Sequence, residues 1–164
     1  MGTLRIILLI IHIISAGLWI SEEVIGRIMK PLIDKNKGQA AELTLANATM
    51  RLFSTFGPIA SMGIFLTGIG LTLNNGWVLF GIGGFTPGWL LIKQVVYVLL
   101  IVLVMLGIRP ISERLAKSFS EATHNGLMTE EAREILSRMW TLGQLHTLLV
   151  FINIILAVWK PSIG

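Results

Sequence analysis

From Leu52 to Ile92 the chain runs forty-one residues without a single Asp, Glu, Lys or Arg. So long an uncharged, largely apolar stretch points to the membrane. A helix needs roughly 20 mostly apolar residues to cross a bilayer. Forty-one are too many for one helix and suit two with a connection between them. The break is marked by Asn74-Asn75-Gly76 and by Gly81 to Gly88, where Gly, Asn and Pro crowd together; such density signals irregular chain.

The rest of the sequence supplies two more spans. The first runs from about Leu4, is uncharged from Ile6 to Ser21, and continues through Glu22 and Glu23 to about Gly26. A secretory leader is the competing reading, but only Arg5 precedes the apolar run and no small-x-small cleavage site follows it, so a retained helix is expected. The last runs from about Met139 to Trp159 and stops at Lys160-Pro161. The expectation is therefore one domain over residues 1–164. It is an all-α, up-down, four-helix membrane bundle with helices at about 4–26, 56–73, 88–108 and 139–159. Pro58 is expected in the first turns of the second helix, where a missing N–H costs least. Arg109-Pro110 is expected to end the third. Gly38 to Arg51 and the segment opening at Thr129-Glu130-Glu131 read as helical extensions outside the membrane, the latter with an N-cap and an acidic first turn.

Composition agrees. Only 13% of residues are charged and mean hydropathy is +0.78, against roughly 25% charge in a soluble domain. Cysteine is absent, which excludes disulfides, thiolate metal sites, iron–sulfur clusters and c-type haem attachment. The net charge of +4 sits beside apolar runs and reads as membrane anchoring, with no nucleic-acid partner implied.

Helices that alternate in direction put both termini and the second connection on one face. That face holds Arg5, Lys93 and Lys160. The other holds Arg27, Lys30, Lys35, Lys37, Arg51, Arg109, Arg114, Lys117, Arg133 and Arg138. Ten against three predicts, by the positive-inside rule, a multi-pass protein of the cell membrane with both termini outside. Trp77, Phe80, Phe85 and Trp89 suggest that the second connection covers the bundle or lies in the interface.

Ionisable groups at membrane depth are costly and are functional candidates by default. At 1.5 Å per residue, His12 and Asn153 lie roughly 10 Å, and Lys93 roughly 8 Å, below the terminal face. Tyr97 follows Lys93 by one turn on the same helix face. His146 lies roughly 12 Å in from the other side. Each has a plainer alternative: a histidine bonded to a carbonyl or to Ser15, a snorkelling lysine, an asparagine that joins two helices. Glu22 and Glu23 read as interface partners of Arg27, Arg51 or Arg109, with a proton-entry role as the alternative. His124 reads as a solvated loop residue. The seven Met are scattered, unlike a clustered thioether site for Cu(I). Two histidines in one bundle are a recurring way to hold haem b, with His12 and His146 as candidate iron ligands and Lys93, Tyr97 and Asn153 around the cofactor.

Several short motifs carry a family resemblance. His12-Ile-Ile-Ser-Ala-Gly-Leu-Trp19 resembles the first helix of the CopD-like and HemJ-like membrane proteins. Met50-Arg51-Leu52, Pro58 and Leu66-Thr67-Gly68-Ile69-Gly70-Leu71 resemble the second-helix region of the HemJ-like family. Gly88-Trp89-Leu90-Leu91-Ile92-Lys93 resembles its third-helix opening, and Val158-Trp159-Lys160-Pro161 its ending. The resemblance implies a small four-helix membrane protein in which His12 and Lys93 stand where that family associates haem b and protoporphyrinogen oxidation. Two departures separate this chain from the reaction. Val104-Met105-Leu106-Gly107 stands where the family has a further His, and Ile20-Ser21-Glu22-Glu23 replaces a small Gly pair. Gly107-Ile108-Arg109-Pro110 is more similar to an uncharacterised sister family. The expectation is thus a haem b-binding membrane protein with an electron-transfer or oxidase-type role near the outer leaflet. Its partners would be the lipid bilayer, a quinone or another redox membrane protein, as a homo-oligomer or a complex subunit. The alternatives are a non-catalytic accessory subunit of a larger complex and a copper or small-solute handling protein.

Overall fold

A computed structural model describes residues 2–122 and 126–161; His124 lies outside the described residues. Four long helices make the structure: α1 (Thr3–Lys35), α2 (Ala40–Asn74), α3 (Gly88–Ala122) and α4 (Glu130–Trp159). Each is apolar enough over an 18-residue window to cross a membrane, and no strand occurs among the described residues. The all-α membrane bundle is as the sequence indicates.

Every helix is longer than its apolar part. At 1.5 Å per residue, 30 to 35 residues span roughly 45–52 Å, against a hydrocarbon core of about 30 Å. The excess projects on the face that carries the basic residues. There Ile33, Leu43, Ala46, Leu115, Phe119, Met128, Leu136 and Met139 form a core of their own. A small helical subdomain therefore stands on the membrane bundle. The polar lead-in to α2 and the Thr129 cap are as expected: the Thr129 hydroxyl accepts from the Ala132 N–H at 3.1 Å.

Three expectations about the helices are corrected. α1 does not end near Gly26 but runs past Pro31 to Lys35. A proline there forfeits one backbone bond close to the helix end, where water can meet the freed carbonyl. α3 does not end at Arg109-Pro110. Its ladder widens to a π-helix over Leu103–Ile108, and the Arg109 N–H reaches the Val104 carbonyl five residues back. The widened turn absorbs the bond that Pro110 cannot make, and the helix resumes to Ala122. Pro58 lies in the middle of α2, not at its start. Hydroxyls take up neighbouring carbonyls there: Thr55 donates to Arg51 O at 2.8 Å and Ser61 to Pro58 O at 3.2 Å. Membrane helices tolerate proline on those terms.

The bundle is two hairpins, α1 with α2 and α3 with α4, each closely packed along its length. Small residues set the first contact. A Cβ on Gly63 would collide with Ser15, and one on Gly70 would stand 3.0 Å from Leu8. This is the small-residue contact by which membrane helices approach. Between hairpins the backbones stay further apart, and large side chains fill the seam: Trp19, Val96, Leu100 and Val150 pack there with Ala60. Outward-facing Ile, Leu, Val and Phe side chains are exposed along all four helices, as lipid contact requires.

Residues 75–87 connect α2 to α3 on the terminal face. The Val78 N–H bonds Phe85 O at 3.1 Å, and the Thr86 hydroxyl donates to Val78 O. Phe80 takes a left-handed conformation, φ 55°, and its N–H reaches Gln94 Oε1 at 2.7 Å. Trp77 meets Trp89 edge to face at 5.9 Å. The loop is thereby folded onto the start of α3, while Ile82 and Phe85 stay 78% and 70% exposed. Apolar tips on an ordered loop suit the membrane interface better than a cover over the bundle.

Candidate functional site

Polar groups inside the bundle fall into two clusters along α1. His12, Ser15, Trp19 and Glu23 recur at three to four residues, so they share one stripe of the helix; Ser15 and Trp19 are buried on it.

The upper cluster centres on His12. Its Nδ1 lies 2.8 Å from Thr67 Oγ1 on α2. The Thr67 hydroxyl also donates to Gly63 O at 2.5 Å, within its own helix. A hydroxyl has one proton. With that proton on the Gly63 carbonyl, Thr67 must accept from His12, so Nδ1 carries the imidazole hydrogen. Nε2 then holds the free lone pair. The tautomer follows from the network, as such assignments must. Lys93 on α3 is the charged group within electrostatic reach of His12. Asn153 on α4 donates to the Lys93 carbonyl at 3.3 Å, so it ties α4 to α3. Tyr97 donates to Ser61 O at 2.9 Å, stacks on Phe65 at 6.0 Å and meets Trp19 edge-on at 6.3 Å. It joins the two hairpins across the seam.

The lower cluster contains His146, and this corrects the expectation of one site with two histidines. His146 Nδ1 lies 3.1 Å from Glu23 Oε1, and its ring is 5.3 Å from Trp19. Trp19 and Glu23 are seven and eleven residues beyond His12, or roughly 10 and 16 Å along the helix. Two nitrogens on opposite sides of one iron stand about 4 Å apart, given metal–nitrogen bonds near 2 Å. His12 and His146 therefore do not meet as a pair of axial ligands.

Glu22 and Glu23 are also not the interface ion pairs that the sequence suggested. Arg109 pairs instead with Glu113 at 3.0 Å. Glu23 turns inward to His146 and to the Thr147 hydroxyl. Glu22 lies against α2, where a Cβ on Gly57 would be 3.3 Å from both carboxyl oxygens. Its Oε1 is buried and has no hydrogen-bond partner. The stripe His12–Ser15–Trp19–Glu23 was the signal that could have placed these carboxylates inside. Thr67 was equally readable, one turn after Gly63 on the helix that faces His12.

With this arrangement in view, residues 6–161 match the family described as a predicted integral membrane protein, DUF2269. The chain belongs to that family. No curated protein and no solved structure matches it. DUF2269 membership carries membrane integration, which the four helices bear out. It assigns no chemistry to His12, Lys93 or the lower cluster.

Proposed function

We propose that this DUF2269 protein binds haem b in the terminal-face half of the bundle, with His12 as the iron ligand, and serves in electron transfer. One observation carries the reading: Thr67 fixes the His12 tautomer and leaves Nε2 as the donor atom. Ligating histidines are characteristically held this way by a bond to the other ring nitrogen. Lys93 would offer a cation to a propionate or, as the neutral amine, a lone pair as the second ligand. The resemblance of the first- and third-helix motifs to the HemJ-like family supports the same pair. His146, held by Glu23 a long way down α1, has no part in the site. When bound, haem b supplies one-electron chemistry; the residues of this chain hold, orient and insulate it.

Copper handling is less well supported. Among the described residues no three His, Cys, Asp or Glu side chains converge as a metal site. The ten-to-three distribution of basic residues further supports a cytoplasmic basic face with both termini outside.

The test is an absorption spectrum of the purified full chain, with pyridine hemochrome for haem content. A Soret band that is lost in His12→Ala and kept in His146→Ala is expected. A colourless preparation with no haem would overturn the reading and leave the accessory-subunit alternative.

A further inference from the structure

The lower cluster has a geometry that the haem reading does not use. Glu22 and Glu23 are consecutive on α1, so they diverge by about 100° around the helix. Glu23 faces α4. Its Oε1 meets the Nδ1 of His146 and its Oε2 meets the Thr147 hydroxyl. Thr147 also lies 2.8 Å from Gly143 O. Its one proton serves two oxygens, so a proton on either Glu23 or the hydroxyl satisfies the contact. His146 is 8% exposed and Thr147 also 8%, which keeps bulk water from settling that choice.

Glu22 faces α2. A buried, ionised oxygen with no partner is severely unfavourable, and the group accepts a proton instead. Among the described residues no Lys or Arg forms an ion pair with it, and Arg51 on α2 stands six residues before Gly57, roughly 9 Å along the helix toward the basic face. On α2 it meets Gly57. On α4, His146 is turned to Glu23. On α3, Tyr97 lies beyond Trp19 and has its hydroxyl on Ser61 O. On α1 itself, Glu23 is a second carboxylate. Arg27 follows five residues later, roughly 8 Å along the helix toward the basic face.

We infer that Glu22 is a proton-binding site inside the bundle, loaded from water at the basic face and flanked on α1 by the Glu23–His146–Thr147 group. Glu22 is the proton carrier: a proton from water forms the O–H bond on its carboxylate, and hydroxide or buffer base takes it back. Glu23, the next residue on α1, is the carboxylate beside it, and His146 and Thr147 hold that neighbour. The ligand is a proton and not a metal ion, since the cluster does not present three converging ligands. The site stands independently of haem binding.

The experiment is infrared spectroscopy of the full chain in lipid nanodiscs, titrated through the neutral range in H₂O and D₂O. The wild type should show the C=O stretch of a protonated carboxyl group at neutral pH. That band should shift in D₂O and disappear as the pH is raised. Glu22→Gln should remove it, and Glu23→Gln should displace its titration without abolishing it. Gly57→Ala, which brings a methyl group against the carboxyl, should move the band's frequency, and it serves where Glu22→Gln does not fold. A wild-type protein with no such band at neutral pH overturns the proposal. So does a band that survives Glu22→Gln, or one indifferent to both Glu23→Gln and Gly57→Ala.

Discussion

Glu42 on α2 and Arg133 on α4 meet as a two-pronged ion pair, Nε to Oε1 at 2.8 Å and Nη2 to Oε2 at 2.8 Å. They join the two hairpins in the subdomain outside the membrane, fourteen residues before the apolar part of α2 begins near Phe56. Glu42 is only 3% exposed, and its second oxygen also accepts from the Gly38 N–H at 2.7 Å. Both carboxyl oxygens are thus committed. Removing one partner of a buried pair leaves the other uncompensated, at a cost of about 3–5 kcal/mol. Arg133→Ala should lower the unfolding temperature of the subdomain more than Glu130→Ala does, since Glu130 is an exposed partner of the same guanidinium. Circular dichroism melts of the two variants in detergent compare them directly.

The same pair imposes a pH dependence. The hydrogen bonds and charge of Arg133 hold the Glu42 carboxyl below its ordinary 4.5, against the opposing effect of burial. A carboxyl whose folded-state value is depressed binds protons more readily when unfolded. Its contribution is therefore complete above the ordinary value and declines as pH falls below it toward the folded value. Near neutrality the melting temperature should not change with pH through Glu42, and it should fall below about pH 4.5. In Glu42→Gln that acid-side decline should be shallower. Parallel acid titrations of both proteins, followed by melting temperature, provide the check.

Contact between α1 and α2 depends on Gly63. A Cβ there would run into Ser15, and overpacking of this kind costs about 1–3 kcal/mol. Gly63→Ala should destabilise the hairpin by that amount, and Ser15→Gly in the same chain should restore most of it. Because the two residues touch, the double-mutant cycle should show a coupling energy well above the few tenths expected of separate sites. Additive effects would mean that Gly63 matters for some other reason. The same cycle bears on His12, since Gly63 supplies the carbonyl that holds Thr67.

The four spans were legible because lipid imposes one rule everywhere: an apolar stretch long enough to satisfy its own backbone. Long uncharged runs such as Leu52–Ile92 state this directly. What the sequence concealed was contextual. Pro110 read as a stop, yet it falls on a π-widened turn, where the missing N–H does little harm. Glu22 and Glu23 read as interface charges because Arg27 is close in the chain. The partner that Glu23 meets, His146, is 123 positions away, and no local pattern encodes that meeting. Counting residues placed His12 and Lys93 on one level. Depth counted from assumed membrane edges could not show that His146 meets Glu23, eleven residues beyond His12 on α1.

Both termini outside is the orientation that the basic residues favour, and the chain is well suited to testing it. It contains no cysteine, so any single cysteine reports its own position. Ile82, 78% exposed on the terminal-face loop, and Asn36, half-buried on the connection between α1 and α2, lie on opposite faces. In intact cells a membrane-impermeant maleimide should label Ile82→Cys and leave Asn36→Cys unlabelled until the membrane is opened. The reverse pattern would invert the protein and put His12 in the cytoplasmic half.

Thr67 offers the sharpest test of the upper site. Its hydroxyl accepts from His12 Nδ1 and donates to Gly63 O, so it sets which imidazole nitrogen keeps a lone pair. Thr67→Val conserves shape and β-branching but removes the acceptor. His12 is then free to place its proton on Nε2, which blocks ligation by that atom. Loss of an orienting partner typically lowers affinity of a metal site 10–100-fold. Haem titration of the purified chain should show a weakening of about that size in Thr67→Val. Thr67→Ser, which restores the hydroxyl, should bind as the wild type does. An unchanged affinity in Thr67→Val would separate haem binding from the His12 tautomer, whereas a loss in both variants would indicate packing of α1 on α2 as the controlling factor.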